Sequence, residues 1–354
     1  MTKKILHIAQ MRVPASGIAR QMLEEQKVAD SIGVAWHSRL YVPRGCSENS
    51  ICIESKCERS DKSGFKSSFF NWLESEVKKY DLVLLRHSVY SPGELGFLRK
   101  SDKPVYLVHH TLEEMELWSS RGVSGKLLSI LERFYGRRSI LASQGIVAVT
   151  AEIGDYEVAR SGAKASPLIY PNGIDMSSVG RRDDSRGGDI PELLFVASEF
   201  VPWHGLDLLI ESLEKSNEKF VLHLVGKLTA GQADAVAEID QVVVHGVLSP
   251  RDVSNLAARC WVGLGSFALY RKSMYQACTL KVREYLAAGL PVYSGHADVF
   301  PDCFPYYKQG PANIVDILDY ASSVRGVSRD SVATESRPFI DKGSLLSSLY
   351  TQLT

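Results

Sequence analysis

Short apolar runs that do not alternate with polar residues recur along this 354-residue chain, each closed by a loop or turn signal. KILHIA (Lys4 to Ala9), LVLL (Leu82 to Leu85), PVYLV (Pro104 to Val108) and IVAV (Ile146 to Val149) lie in the first half. LLFVA (Leu193 to Ala197), FVLHLV (Phe220 to Val225), VVV (Val242 to Val244), WVGL (Trp261 to Leu264) and PVYS (Pro291 to Ser294) lie in the second. A strand with one wet face alternates; a run that stays apolar is buried on both faces, as in a parallel sheet covered by helices. Helical segments fall between the runs, among them Ile18 to Ser31, Leu206 to Leu213, Pro250 to Arg259 and Leu280 to Ala288. The predicted class is therefore α/β. Leu40 to Val42 reads as part of a second strand, and residues 43 to 64, rich in Ser, Cys and charge, as an irregular excursion without a site.

One stretch interrupts the alternation. SSVGRRDDSRGGDIP (Ser177 to Pro191) has nothing to bury and follows the strong turn Pro171-Asn172-Gly173. It predicts a division into residues 1–172, a hinge and linker at 173–191, and residues 192–354, with the last helix a candidate to pack back on the first domain. Two Rossmann-like β/α/β domains of this kind would face each other across a cleft at the carboxyl ends of two parallel sheets.

Composition excludes several classes. A content of 45% hydrophobic and 23% charged residues is that of an ordinary globular protein, and no apolar run approaches the length of a bilayer span. The start MTKKILHIAQMRVPASG lacks the apolar segment and cleavage site of a secretory signal, which predicts a cytoplasmic protein. The six cysteines include no CxxC pair and no histidines at ligand spacing, so free thiols and no metal site are expected. The overall net charge is zero, yet residues 1–170 hold 24 Lys and Arg against 19 Asp and Glu. That excess suits an anionic membrane surface or a phosphate-bearing acceptor, and nothing in it calls for nucleic acid.

The most informative stretch is Trp261 to Ser294, a strand, a charged loop, a short helix and a second strand. Thr279 stands where it can cap the helix, Gly289 where it can end it, and Pro291 just beyond. Lys281 and Arg283 fall in the first turn, where the helix already presents a positive end; that arrangement favours a bound anion. Glu284, one turn on, can accept from sugar hydroxyls. Phosphate and hydroxyl recognition together describe a nucleotide sugar.

Other candidates are weaker alone. Gly17 lies between the first strand and first helix; His109-His110 follow PVYLV at a strand end, with His110 the site candidate; Gly226-Lys227 close FVLHLV. Phe65, Phe69, Trp72 and Val77 have helical spacing and read as a helix covering the sheet rather than lying on a membrane. The basic segment Lys126 to Arg138, with Arg133, Arg137 and Arg138, is a candidate to meet anionic lipid headgroups.

His110, the hinge Tyr170-Pro171-Asn172-Gly173-Ile174-Asp175, Pro202-Trp203-His204-Gly205 and the run Lys281 to Val292 (KVREYLAAGLPV), taken in this order, resemble the GT-B retaining glycosyltransferases of the large polysaccharide-assembling family 4. The resemblance spans nearly the whole chain and implies a nucleoside diphosphate sugar bound mainly by the second domain. It also implies an acceptor on the first domain, transfer with retained anomeric configuration, and neither cofactor nor metal. Glu284 then looks like the second glutamate of the family's two-glutamate motif, which binds the ribose. The first is replaced by Gln276, and the phosphate-binding Arg and Lys by Glu199 and His204. These departures make Arg271, Lys272 and Lys281 the expected partners of the diphosphate, with His110 orienting the donor sugar.

The expected acceptor is a glycan or polyprenyl-linked glycan, met at the inner face of the membrane during surface polysaccharide assembly. Two alternatives stand beside transfer: a non-catalytic sugar-nucleotide binder or accessory subunit, favoured by Gln276, Glu199 and His204, and a nucleotide-sugar epimerase.

Overall fold

The computed structural model describes the chain except for Met1, Pro14, Ala15, Arg121 and residues 179–187, and except for the side chains of Ser16, Ser120 and Ser178. Most of the polar linker expected between Ser177 and Pro191 thus lies outside the described residues. The chain divides into two compact units, Met1–Pro171 with Lys342–Thr354, and Asn172–Asp341.

The first unit runs β1 (Ile5–Gln10), α1 (Ser16–Ile32), β2 (Trp36–Val42), β3 (Cys52–Glu54), α2 (Lys62–Glu76), β4 (Leu82–Arg86), α3 (Pro92–Lys100), β5 (Val105–His109), α4 (Glu113–Ser120), α5 (Gly122–Ala142), β6 (Gly145–Ala148), α6 (Ala151–Ser161) and β7 (Leu168–Ile169). Among the described residues its strands form one seven-stranded sheet, β3-β2-β1-β4-β5-β6-β7, parallel throughout. The second unit runs β8 (Glu192–Glu199), α7 (Leu206–Leu213), β9 (Val221–Lys227), α8 (Ala230–Ala237), β10 (Val242–Val244), α9 (Pro250–Ala257), β11 (Val262–Leu264), α10 (Leu280–Ala287), β12 (Val292–Ser294), β13 (Tyr307–Gln309), α11 (Ile314–Val324) and α12 (Arg329–Ile340). Its parallel sheet has the order β10-β9-β8-β11-β12-β13. Helix α13 (Lys342–Leu353) belongs to the first unit, where Leu346, Leu349 and Leu353 join Ile5, Trp36 and Leu84 in one core cluster.

Each sheet is built outward from its first strand in one direction and then in the other. The reversal falls between β1 and β4 in the first unit and between β8 and β11 in the second. At such a switch point the flanking loops diverge and leave a crevice outside the carboxyl ends of the strands, where open α/β sheets bind ligands.

The segment read as an irregular excursion contains the edge strand β3 and the start of α2. CIE carries no apolar run, so its pairing with Leu40 to Val42 was invisible to pattern. Helix α2 buries Phe65, Phe69, Phe70 and Leu73, and Tyr41 of β2 packs against the rings of Phe65, Phe69 and Trp72; it covers the sheet, as its spacing predicts. No helix among the described residues is long and apolar enough to cross a membrane. All six cysteines are free thiols.

Helix α10 ends as expected. Gly289 has φ 75°, and a Cβ there would lie 2.4 Å from Cβ of Arg329, so both conformation and space require glycine. Its start differs from expectation. Arg283 is fully buried rather than part of an open positive end: both Nη atoms bind the Asp298 carboxylate at 2.5 Å, and Nε donates to the Asn172 carbonyl at 3.1 Å. Thr279 holds the cap position, yet its hydroxyl makes no bond to the first turn. Breaking a buried pair strands one charge, so Asp298→Ala should cost about 3–5 kcal/mol of stability, and Arg283→Met with Asp298→Leu markedly less than Asp298→Ala alone. Urea unfolding of the three proteins checks this.

Candidate functional site

The second unit gathers its chemistry beside the amino end of α10. With no side-chain cap on that helix, the Thr279 hydroxyl is buried without a partner. The Lys281 ammonium is likewise buried and unpartnered, 5.3 Å from the centre of the Phe195 ring on β8. Burial pushes its pKa down to about 8, and the carboxylate of Glu284 only partly offsets this. An open helix start and an uncompensated ammonium are two independent features that both favour an anion.

Two histidines flank the lysine. The Nδ1 of His204 accepts from the Val201 amide at 3.1 Å, which leaves the ring proton on Nε2. Burial, followed by the charge of Lys281, pushes its pKa to about 3, so His204 is a neutral donor. His296, just past β12, has the opposite tautomer: Nδ1 donates to the Ala297 carbonyl at 2.9 Å, and the buried Nε2 is an acceptor without a partner. Burial holds its pKa below the ordinary range, and Lys281 is among the charges acting on it. The site therefore offers a cation, free helix amides, a neutral donor and an acceptor, with Glu284 exposed beside them.

Other predicted residues are placed differently. The Arg271 guanidinium is held by both oxygens of Asp207, at 2.9 and 2.7 Å, and donates to the Pro202 carbonyl at 2.8 Å, so its charge is already answered. Lys272 sits 4.5 Å over the Trp203 ring. Gln276 pairs with Ala297 in an isolated bridge and donates to the Asp298 carbonyl at 3.2 Å, which sets it on the segment next to His296. Gly226 has φ 134° and gives its N–H to the Gly246 carbonyl; a Cβ would lie 1.8 Å from the Ala197 oxygen. Its glycine serves a close approach of strands, with no amide left for a ligand. Lys227 and Glu199 are exposed and register-paired at the ends of β9 and β8. A groove of about 610 Å³ between β13 and α11 contains none of the predicted site residues.

In the first unit His109 and His110 separate. His109 is fully buried, bound through Nδ1 to Glu113 at 3.2 Å and stacked 4.7 Å from the His87 ring. His110 Nε2 is buried without a partner, as is His109 Nε2, and burial together with the nearby Arg86 holds the His110 pKa well below the ordinary range, so it is neutral. Arg86 ends β4. Gln10 ends β1 and spans the switch point, donating to the Ser88 hydroxyl at 2.7 Å while its Oε1 stays buried and unpartnered. Gly17 lies in the first turn of α1 with open space on its Cβ side. Gln10, Arg86 and His296 were not singled out from the sequence; a polar residue closing an apolar run, as in KILHIAQ, LVLLR and PVYSGH, is the signal that could have found them.

These two units define the GT-B fold. No protein-family model and no curated protein matches the sequence. Among solved structures, the chain is similar to the lipopolysaccharide outer core galactosyltransferase WaaB at a TM-score of 0.69 and 13% identity, over 99% of this chain and 100% of that one. It is similar to HepE of Anabaena, solved in complex with UDP, at 0.69 and 13%, over 99% of both chains. The sucrose-phosphate synthase of Thermosynechococcus elongatus follows at 0.68 and 16%, again over 99% of both.

A buried ammonium without a counterion is a cost carried by the unliganded protein. Lys281→Met should therefore raise its stability at pH 7 by about 1–3 kcal/mol while weakening diphosphate binding. Because the folded-state pKa lies below the unfolded value, the cost is fully present below about pH 8 and lifts as pH rises toward the ordinary lysine range. Diphosphate affinity, which needs the ammonium, should fall over the same interval. Thermal melts and calorimetry across pH 6 to 10 read both effects.

Proposed function

We propose that this chain is a glycosyltransferase that moves a sugar from a nucleoside diphosphate sugar to a glycan or polyprenyl-linked glycan, with retention of configuration, at the inner face of a membrane in surface polysaccharide assembly. The observation that carries the reading is the buried, unpartnered Lys281 ammonium at the uncapped start of α10, within a GT-B fold. As the bond from the anomeric carbon to the diphosphate oxygen breaks, its electron pair goes to the phosphate. Lys281 and the α10 amides are placed to stabilise that growing charge, a role that needs neither metal nor cofactor. The acceptor hydroxyl then attacks the face from which the diphosphate departs and gives its proton to the departing phosphate oxygen, so that the new glycosidic bond replaces the broken one.

Within this reading Glu284 holds the ribose hydroxyls, while Gln276, His204 and His296 contact diphosphate or donor sugar. In the first unit His110, Arg86 and Gln10 orient the sugar or acceptor. HepE is a solved neighbour with UDP bound, which makes uridine diphosphate sugars the first donors to try. Gln276 favours a second reading, a donor-binding accessory subunit, because an amide supplies no negative charge beside a developing oxocarbenium ion. Binding without turnover would select it.

Thermal shift and calorimetry over a panel of nucleoside diphosphate sugars test the proposal. A true donor at 100 times its Kd should stabilise the protein by about 2.7 kcal/mol. Glu284→Gln should weaken ribose-bearing ligands by about 1–3 kcal/mol and spare inorganic diphosphate, and Gln276→Glu should change turnover or donor choice with little effect on the free nucleotide. Product anomers read by NMR report retention. Failure of every nucleoside diphosphate and its sugars to bind would overturn the reading.

A further inference from the structure

Helix α5 is inside out. The face it turns into the first unit is small and polar: Gly125, Ser129, Glu132, Gly136 and Ser139 are buried, with Ile140 the one large apolar side chain among them. Five of its apolar residues recur at helical spacing on the opposite face, while Leu128, Leu131 and Tyr135 are half-buried. Val123 is 87% exposed, Leu127 59%, Ile130 58%, Phe134 51% and Leu141 53%. Trp118 of α4, 49% exposed, lies beside this helix, with Lys126 reaching over its ring. A surface helix normally buries such a stripe against the sheet. Here the stripe is left in water, and a contiguous exposed apolar ridge marks a docking surface.

The charges around the ridge select its occupant. Lys126, Arg133, Arg137 and Arg138 flank it and are all exposed. The helix's own acid, Glu132, is buried. Of the α4 acids, Glu113 binds His109, Glu114 takes the Tyr156 hydroxyl and lies 4.0 Å from Arg133, and Glu116 accepts from Thr111. Two copies docked ridge to ridge would bring basic rims against each other, whereas an anionic lipid surface supplies both an apolar layer for the ridge and phosphates for the rim.

We propose that the α4–α5 face is a membrane-binding surface that inserts Leu127, Ile130 and Phe134 among the acyl chains of an anionic leaflet, with Arg133 and Arg138 at the headgroups. This deepens the reading of a lipid-linked acceptor, but it concerns lipid binding alone and can fail while donor binding stands.

The full chain is sedimented with vesicles of phosphatidylcholine, and of phosphatidylcholine with an equal part of phosphatidylglycerol. The expected result is binding to the anionic vesicles that added salt weakens without abolishing, because the apolar insertion is not screened. Leu127→Asp with Phe134→Asp should lower that binding about tenfold or more, and Arg133→Glu with Arg138→Glu should lower it on anionic vesicles. All four positions are exposed, so unchanged melting is expected; Leu127→Ser with Phe134→Ser serves as the milder pair should the aspartates disturb folding. Absence of wild-type binding to either vesicle, or full binding by the Asp and Ser pairs, overturns the proposal. So does wild-type self-association without lipid binding, if the Asp pair abolishes it, since the ridge would then belong to a second copy.

Discussion

The candidate donor site depends on the ion pair between Arg283 and Asp298. Withdrawing both groups from water is costly, and the geometry offsets that cost by satisfying nearly every polar arm: two parallel bonds join the pair, the Asn172 carbonyl takes Nε, and the Val299 amide donates to the carboxylate. The pair thereby ties the start of α10 to the segment carrying His296 and to the first residue of the second unit. Two positions away on the same helix, the Lys281 ammonium is also buried and makes no hydrogen bond. The contrast divides the labour. One cation is spent on making the helix start rigid, and the other is held ready on that rigid base.

A second constraint shapes the first unit. His87 is bound by Glu94 and Glu132 at 2.8 and 2.9 Å, and Glu132 also takes Arg160 at 3.1 Å, so charged side chains lie under α5 where a hydrophobic core would ordinarily be. A Cβ at Gly136 would lie 2.0 Å from the Glu132 carboxylate. A polar interior of that kind admits only small or polar neighbours from the helix above it, and the apolar side chains of α5 are consequently turned outward. The same carboxylates accept from the amides of Ser88 and Tyr90, which fixes the loop after β4 with Tyr90 at φ 44°. Positioning of that loop and the exposed ridge are two results of one buried network.

Much of the fold was legible because burial on both faces of a parallel strand leaves an unmistakable apolar run; β4, β5, β8, β9 and β11 all lie where such runs occur, and α7 spans the predicted residues. The three-residue strands β3 and β13 carry no such run and depend on neighbours remote in sequence. Within the site, the presence of Lys281 and Arg283 in the first turn of a helix ended by Gly289 was legible. That Arg283 is paired was not, because its partner lies fifteen residues on, beyond any helical spacing, and only folding brings them together. Adjacent strand-end residues point to opposite faces, which is why His109 and His110 have different fates although the sequence presents them as a pair. Arg271 shows the same limit: its charge was legible, its commitment to Asp207 was not.

The return of α13 to the first unit makes that unit discontinuous, with the whole of residues 172–341 inserted between its parts. Lys3 donates to the Leu353 carbonyl and Tyr350 to that of Lys3, so the opening strand is sealed by a helix more than three hundred residues away. A ribosome making this chain in order can release a foldable second unit before the first has its full core. The earlier-made unit must wait, with the apolar surface around Ile5 and Trp36 uncovered, until the late helix emerges. Vectorial synthesis thus reverses the order in which the two units can reach completion, and it makes the earlier-made of the two the one more in need of protection.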